Sequence, residues 1–146
     1  MVISFFGHAN FSCNEQFFNN VVTELKEIIG DRQVEFFVGY YGNFERFGVS
    51  CAKEIKKYNL NAKITLVTPY LKNDLQIEDY IDEVVYPEIE SVPQKFAIIK
   101  RNEWVIDRSD LIIFYMQFTS KKTYDFYLYA KKKNKNIINL ALLPKV

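Results

Sequence analysis

Four groups of residues in this 146-residue chain have the types and spacing to do chemistry. The first is Gly39-Tyr40-Tyr41-Gly42-Asn43, which lies between an apolar run and an amphipathic one. Glycine has no Cβ, so a phosphate can approach the main chain there. The first free amides of a following helix, around Phe44 and Glu45, would point at it, with the helix dipole helping. The spacing matches neither a dinucleotide fingerprint nor a P-loop, and a plain tight turn would use the same two glycines. The second group is Gly7-His8-Ala9-Asn10. His8 can donate to a phosphate or ribose, or titrate near neutrality; it can equally cap the next turn. No partner carboxylate is identifiable by sequence, which favours ligand contact over catalysis. The third is Arg101-Asn102, whose guanidinium is a planar fork of donors suited to phosphate or carboxylate. The alternative is a surface pair with Glu103 or Asp107, which would be worth little. The fourth is the set of carboxylates Glu45, Asp107, Asp110 and Asp125. General acid–base catalysis, or attack at a sugar carbon, needs a positioned carboxylate. No spacing certifies one. Asp110 reads as the opening of a strand and Asp107 as the close of a helix; Glu45, Asp125 and Asp107 stay open as carboxylates for a hydrolytic reading.

The elements that must position these groups follow from periodicity. Val2 to Phe6 is a short apolar run ending at Gly7, hence a buried strand. Ser12 and Glu15 have capping-box spacing. Phe18, Val21, Val22, Leu25, Ile28 and Ile29 then recur at helical intervals, and Gly30 can end the helix. Val34 to Val38 is a second strand. A helix follows from about Phe44, with Phe47, Cys51, Ile55 and Tyr58 on one face. Gly48 inside it costs roughly 1 kcal/mol against alanine, and close helix–strand packing is the expected compensation. Ala62 to Thr68 is a third strand, and Val84-Val85-Tyr86 a short fourth. Ser91-Val92-Pro93-Gln94 combines capping-box spacing with an early-turn proline and opens a helix to about Asp107, with Phe96 and Trp104 read as core. Leu111 to Tyr115 is a strand, Thr123 to Lys133 a helix, and Asn136 to Leu142 the last strand. Strands alternating with helices imply βαβ units and a mostly parallel sheet. Near-continuous apolar strands imply helices on both faces. Ligands bind such sheets at the carboxyl ends of the strands, near the switch in strand order. The loops that matter are therefore Gly7 to Phe11, Gly39 to Asn43 and Met116 to Lys122.

Bulk properties narrow the function classes. Nineteen Lys and Arg face eighteen Asp and Glu, a net charge of +1, which argues against duplex DNA binding. Single-stranded nucleic acid is disfavoured for the same reason, although the aromatics would permit stacking. No window of about 18 apolar residues exists, so no transmembrane helix and no membrane partner are expected. The apolar N-terminus lacks the features of a signal peptide. Cys13 and Cys51 have no metal-ligand spacing, and the chain has one histidine, so no metal and no cofactor are expected. Two reduced thiols fit a cytoplasmic protein. The acidic run from Asp74 to Glu90 and the lysines between Lys121 and Lys135 read as solvated faces. Aromatics reach 16% of residues; surplus apolar surface of that kind points to a homo-oligomer. All five glycines, Gly7, Gly30, Gly39, Gly42 and Gly48, lie in the first third.

Several segments together resemble a known family. These are Phe6-Gly7-His8, the glycine turn after the second strand, Lys100-Arg101-Asn102, the stretch Val105 to Ile113, and Tyr129-Ala130-Lys131-Lys132-Lys133. The chain resembles the SLOG superfamily, named for the Smf/DprA and LOG proteins, and most of all its YpsA and DUF1273 type. The resemblance runs from Val2 to about Leu140, and Arg101 to Ile113 is its most specific part. It implies a single Rossmann-like three-layer α/β/α domain over residues 1–146, with a mostly parallel sheet of five to six strands. It also implies binding or sensing of a nucleotide or nucleotide-derived small molecule, often in conflict or defence systems of bacteria and phages. LOG relatives cleave N-glycosidic bonds, and DprA relatives bind single-stranded DNA. Carried over by position, Gly7, His8, Gly39, Gly42 and Arg101 would line the pocket. Two departures stand out. YpsA-type relatives have Gly-Gly-Thr where this chain aligns Lys121-Lys122-Thr123, and LOG hydrolases have a glutamate where this chain has Phe126. Lysine can still meet a phosphate as a point charge. An arginine kept without that glutamate implies binding without hydrolysis. The expected ligand contacts are Gly7, His8, Asn10, Gly39, Gly42, Asn43, Arg101, Asn102, Lys122 and Thr123. N-glycosidic hydrolysis through Glu45 or Asp125, and a protein-interaction module with a degenerate pocket, are the alternatives.

Overall fold

The computed structural model describes residues 1–40, 42–70, 77–87, 91–117 and 122–142. Tyr41, residues 71–76 and 88–90 (which take in parts of the acidic run), residues 118–120 of the third loop, Lys121 and residues 143–146 lie outside the described residues. The apolar runs become the strands β1 (Val2–Gly7), β2 (Val34–Val38), β3 (Ala62–Val67), β4 (Glu83–Val85), β5 (Leu111–Tyr115) and β6 (Asn136–Asn139). The amphipathic runs become the helices α1 (Glu15–Ile29), α2 (Asn43–Tyr58), α3 (Gln94–Arg108) and α4 (Lys122–Lys132). The strands form a six-stranded sheet in the order β4-β3-β2-β1-β5-β6, and every pairing is parallel. This is the expected three-layer α/β domain of Rossmann-like type.

Successive strand residues point to opposite faces, and the core divides accordingly. Ile3, Phe5, Phe36, Val38, Ile64 and Ile113 join the α1 and α2 side chains on one face. Phe6, Phe37, Val67, Ile112 and Phe114 join those of α3 and α4 on the other. Asp110 does open its strand: its carboxylate accepts from the Val2 amide at 2.7 Å and so registers β5 against β1. Asp107 belongs to the end of α3, where it accepts from the Tyr129 hydroxyl at 2.8 Å.

The helix starts differ from the sequence reading. α1 is capped by Asn14, whose Oδ1 accepts from the Phe17 amide at 2.8 Å, so the Ser12 capping box does not form. Asparagine sits one residue before the first helical residue, where its side chain reaches the orphan amides. At α3 the cap position is Pro93 and Gln94 is the first helical residue, with no side-chain cap. Phe96 is 44% exposed and Tyr58 67% exposed. Phe96 lies in the first turn of α3 and Tyr58 ends α2, so helical spacing alone misplaces them. Trp104 is half-buried, sandwiched between Phe37 at 5.6 Å and the Arg108 guanidinium at 4.0 Å. The last strand stops at Asn139 and continues as a 3-10 turn, Leu140–Leu142.

Gly48 is compensated as expected. A Cβ there would meet the Phe5 ring of β1 at 2.5 Å, so the missing side chain lets α2 lie against the sheet. Gly48→Ala would stabilise an exposed helix by about 1 kcal/mol. Here it is expected to destabilise by about 1–3 kcal/mol through overpacking, read from urea unfolding.

Candidate functional site

Strand order reverses between β1 and β5, and the chains leaving these strands part around a crevice. A cavity of about 550 Å³ fills it. Its floor is Phe6 and Gly7 of β1 and Tyr115 of β5. The loop after β1 contributes His8, Ala9, Asn10 and Phe11, and the chain after β5 contributes Gln117. One wall is Gly42 and Glu45 at the start of α2. The opposite wall is Ile98 and Asn102 of α3 with Lys122, Thr123 and Phe126 of α4. Three loops picked out by topology do meet here, although only Gly42 comes from the second.

The loop after β1 is rooted by aromatic packing. The Phe11 ring lies 4.7 Å from Tyr115, 5.0 Å from Phe44 and 5.1 Å from Phe47. Edge-to-face pairs of this kind contribute about 0.5–1.5 kcal/mol each beyond their buried area. The Asn43 amide donates to the Ala9 carbonyl at 3.1 Å, which ties this loop to α2. His8 Nε2 accepts from the Gln117 amide at 2.9 Å and joins the two rims. In that bond the neutral ring carries its proton on Nδ1, so donation by His8 is expected from that nitrogen. Asn139 clamps Met116 through its amide, accepting from the backbone N–H and donating to the backbone carbonyl, both at 3.0 Å.

The glycines serve packing more than phosphate contact. A Cβ on Gly7 would overlap the Phe44 ring. One on Gly39 would fall 2.5 Å from the Arg101 guanidinium and 2.7 Å from the Glu45 carboxylate. Gly42 has φ +152°, and a Cβ there would lie 2.9 Å from Ala9 Cα, so both backbone and space demand glycine.

Arg101 is 1% exposed. Its Nε donates to the Val67 carbonyl at 2.8 Å and an Nη to the Val38 carbonyl at 3.1 Å, the last residues of β3 and β2. The other Nη donates to Asn102 Oδ1 at 2.8 Å and Glu45 Oε1 at 3.2 Å. It therefore lies behind the cavity wall, neither on the surface with Glu103 or Asp107 nor among the lining residues. It holds two residues that do line the cavity, Glu45 and Asn102.

Of the expected contacts, Gly7, His8, Asn10, Gly42, Asn102, Lys122 and Thr123 line the cavity, as does the candidate carboxylate Glu45. Gly39, Asn43, Arg101 and Asp125 are not among the lining residues. Asp125 is exposed in the first turn of α4, turned from the cavity by the same helical spacing that brings Phe126 in, 5.9 Å from Phe6. Sequence reading did not name Phe6, Ala9, Phe11, Ile98, Tyr115, Gln117 and Phe126 as lining. Ala9, Phe11 and Gln117 follow from loop position, the others only from packing. Lys122 begins α4, where a cation opposes the helix dipole, and stands beside Thr123 at the cavity. Burial pushes the Cys51 thiol up, and Cys13 is raised by the same cause, so neither is an activated nucleophile. Among the described residues no group of three or more His, Cys, Asp or Glu is arranged to hold a metal, and no helix is long and apolar enough to cross a membrane. No protein-family model matches this chain, and no curated protein matches its sequence.

Replacing Arg101 alone would strand a largely buried Glu45 carboxylate and two strand-end carbonyls. Arg101→Met is expected to cost about 3–5 kcal/mol, and Arg101→Met with Glu45→Met distinctly less. Urea titration of the two variants against the parent protein checks the order.

Proposed function

We propose that this domain binds a nucleotide or nucleotide-derived small molecule at the crevice between β1 and β5. The observation that carries the reading is a cavity of about 550 Å³ at the switch point, the size of a small-ligand site. Its lining is divided in a way that suits such a ligand. Phe6, Ile98, Phe126 and Tyr115 offer apolar surface to a base. Lys122 and Thr123 at the start of α4 offer charge and hydrogen bonds to a phosphate. Three of the five segments that resemble SLOG domains reach this cavity, through Phe6-Gly7-His8, Gly42 and Asn102, which is compatible with a ligand site of that kind.

Hydrolysis of an N-glycosidic bond is the second reading. It gains from Glu45, which lines the cavity, and loses from Asp125, which does not. Phe126 and the pairing of Glu45 with Arg101 favour binding over turnover.

Self-association belongs to the same proposal. Phe96 and Ile99 on α3 and Leu128 on α4 are 44%, 40% and 47% exposed, which supports an interface on that layer.

A ligand that binds only the folded state raises its melting temperature. A thermal-shift panel of mono-, di- and cyclic nucleotides and ADP-ribose is expected to contain at least one stabiliser, with the shift reduced in Lys122→Glu. Chromatography of the same incubations is expected to show no released base. A panel without any shift would sink the binding reading. Sedimentation is expected to show an oligomer that Phe96→Glu weakens.

A further inference from the structure

We propose that Asn102 meets the base of the bound nucleotide as a donor only, so that the cavity selects 6-oxo purines over adenine and uracil over cytosine. The inference rests on the nucleotide reading above and deepens it by naming the class of base.

Asn102 is 7% exposed and sits inside α3, where the helix backbone fixes its position. Its amide has a single orientation. The Arg101 guanidinium donates to it at 2.8 Å, and a guanidinium has no acceptor, so the atom that faces Arg101 is Oδ1. Arg101 is itself held by the last carbonyls of β2 and β3, which anchors that orientation in the sheet. The amide nitrogen is thereby turned the other way. Among the described residues no acceptor takes the Nδ2 hydrogens, and no fully buried side-chain nitrogen or oxygen lacks a partner. Nδ2 is therefore open to the cavity that Asn102 lines. An asparagine free at both atoms can turn its amide to meet either a donor or an acceptor. This one offers hydrogens alone.

The surroundings decide which acceptor suits it. Arg101 and Glu45 face each other at 3.2 Å, so the charges behind Asn102 cancel and that part of the wall does not attract an anion. The lining lysine, Lys122, stands instead at the start of α4. A phosphate belongs there, and a neutral acceptor belongs at Asn102. Ile98 precedes Asn102 by one helical turn on the same face of α3. Phe6 and Phe126, with ring centroids 5.9 Å apart, line the same cavity. A neutral acceptor carried on a flat, apolar body is the edge of a nucleobase. The oxo groups of hypoxanthine, guanine and uracil accept from Nδ2. The amino group of adenine or cytosine sets donor against donor and leaves both unpaired away from water, which costs more than the lost bond itself.

The test is calorimetric titration of the whole chain with pairs that exchange an oxo for an amino group at one ring position: IMP against AMP, UMP against CMP, and the corresponding diphosphates. In at least one pair the oxo member is expected to bind about tenfold or more tighter. Asn102→Ala removes the donor and is expected to bring that ratio to within about threefold of one. Asn102→Asp puts an acceptor in place of Nδ2 and is expected to turn the preference toward the amino member, which a merely structural role would not do. Equal binding within every pair by the parent protein overturns the proposal, as does an oxo preference that survives Asn102→Ala. The parent ratios require no variant, so a folding defect in either substitution cannot hide the outcome. Failure of every member to bind also overturns it, whereas a thermal-shift panel without any stabiliser is the separate result that removes the nucleotide reading itself.

Discussion

A parallel sheet ends in carbonyls that point out of its edge, and where helices cover that edge the carbonyls must find donors. At β2 and β3 the donor is Arg101, whose Nε and Nη meet Val67 and Val38. Much of the site follows from that bond set. A guanidinium 1% exposed needs an anion beside it, and Glu45 supplies one from the first turn of α2. Two charged groups in one largely buried slot need room, and Gly39 leaves it. The cavity wall formed by Glu45 and Asn102 is thus an outgrowth of how two strands are terminated. Such a pair adds little net stability against a well-packed apolar substitute, but it fixes α2, α3 and the sheet relative to one another.

Aromatic rings do the corresponding work on the other side of the crevice. Phe44 fills the space beside Gly7, and Phe5 the space beside Gly48. Phe11 inserts among Phe44, Phe47 and Tyr115 and anchors the loop that carries His8 and Asn10. Rings are large and lose few rotamers on packing, so a short loop can be held without helix or strand structure of its own. The clustering of glycines early in the chain and the high content of phenylalanine are two aspects of one packing solution.

The cavity between these two halves has walls of different character. On the α4 side Lys122 opposes the dipole of its own helix, a local cost that raises the potential at the rim. On the α2 side the Glu45–Arg101 pair is neutral and directional. Apolar surface from Phe6, Ile98 and Phe126 lies among them.

Periodicity alone was enough to read the strands, the helices, their alternation and the parallel sheet, because 2-residue and 3.6-residue repeats are local properties of the chain. The loops at the carboxyl ends followed from topology, and with them Gly7, His8, Asn10, Gly42 and Lys122, whereas Asn102 and Thr123 lie in helices and came from the family resemblance. Gly48 was legible too, since a helix-interior glycine requires a close neighbour. What the tertiary structure decided were matters of direction and distance between segments far apart in sequence. Arg101 and Glu45 are separated by 56 residues, and no spacing rule pairs them. Arg101 could be recognised as special but not placed behind the wall instead of in it. Gly39 could be recognised as a position without a side chain, but only packing shows that a guanidinium and a carboxylate occupy the space, not a phosphate. Asp125 and Phe126 are neighbours in the chain, and a turn of about 100° per residue on α4 sends the carboxylate outward and the ring into the cavity. The sequence by itself determined the layers and the edge at which a ligand would sit. Which side chains line the cavity at that edge was decided by three-dimensional packing, because burial and charge pairing are settled between elements and not within them.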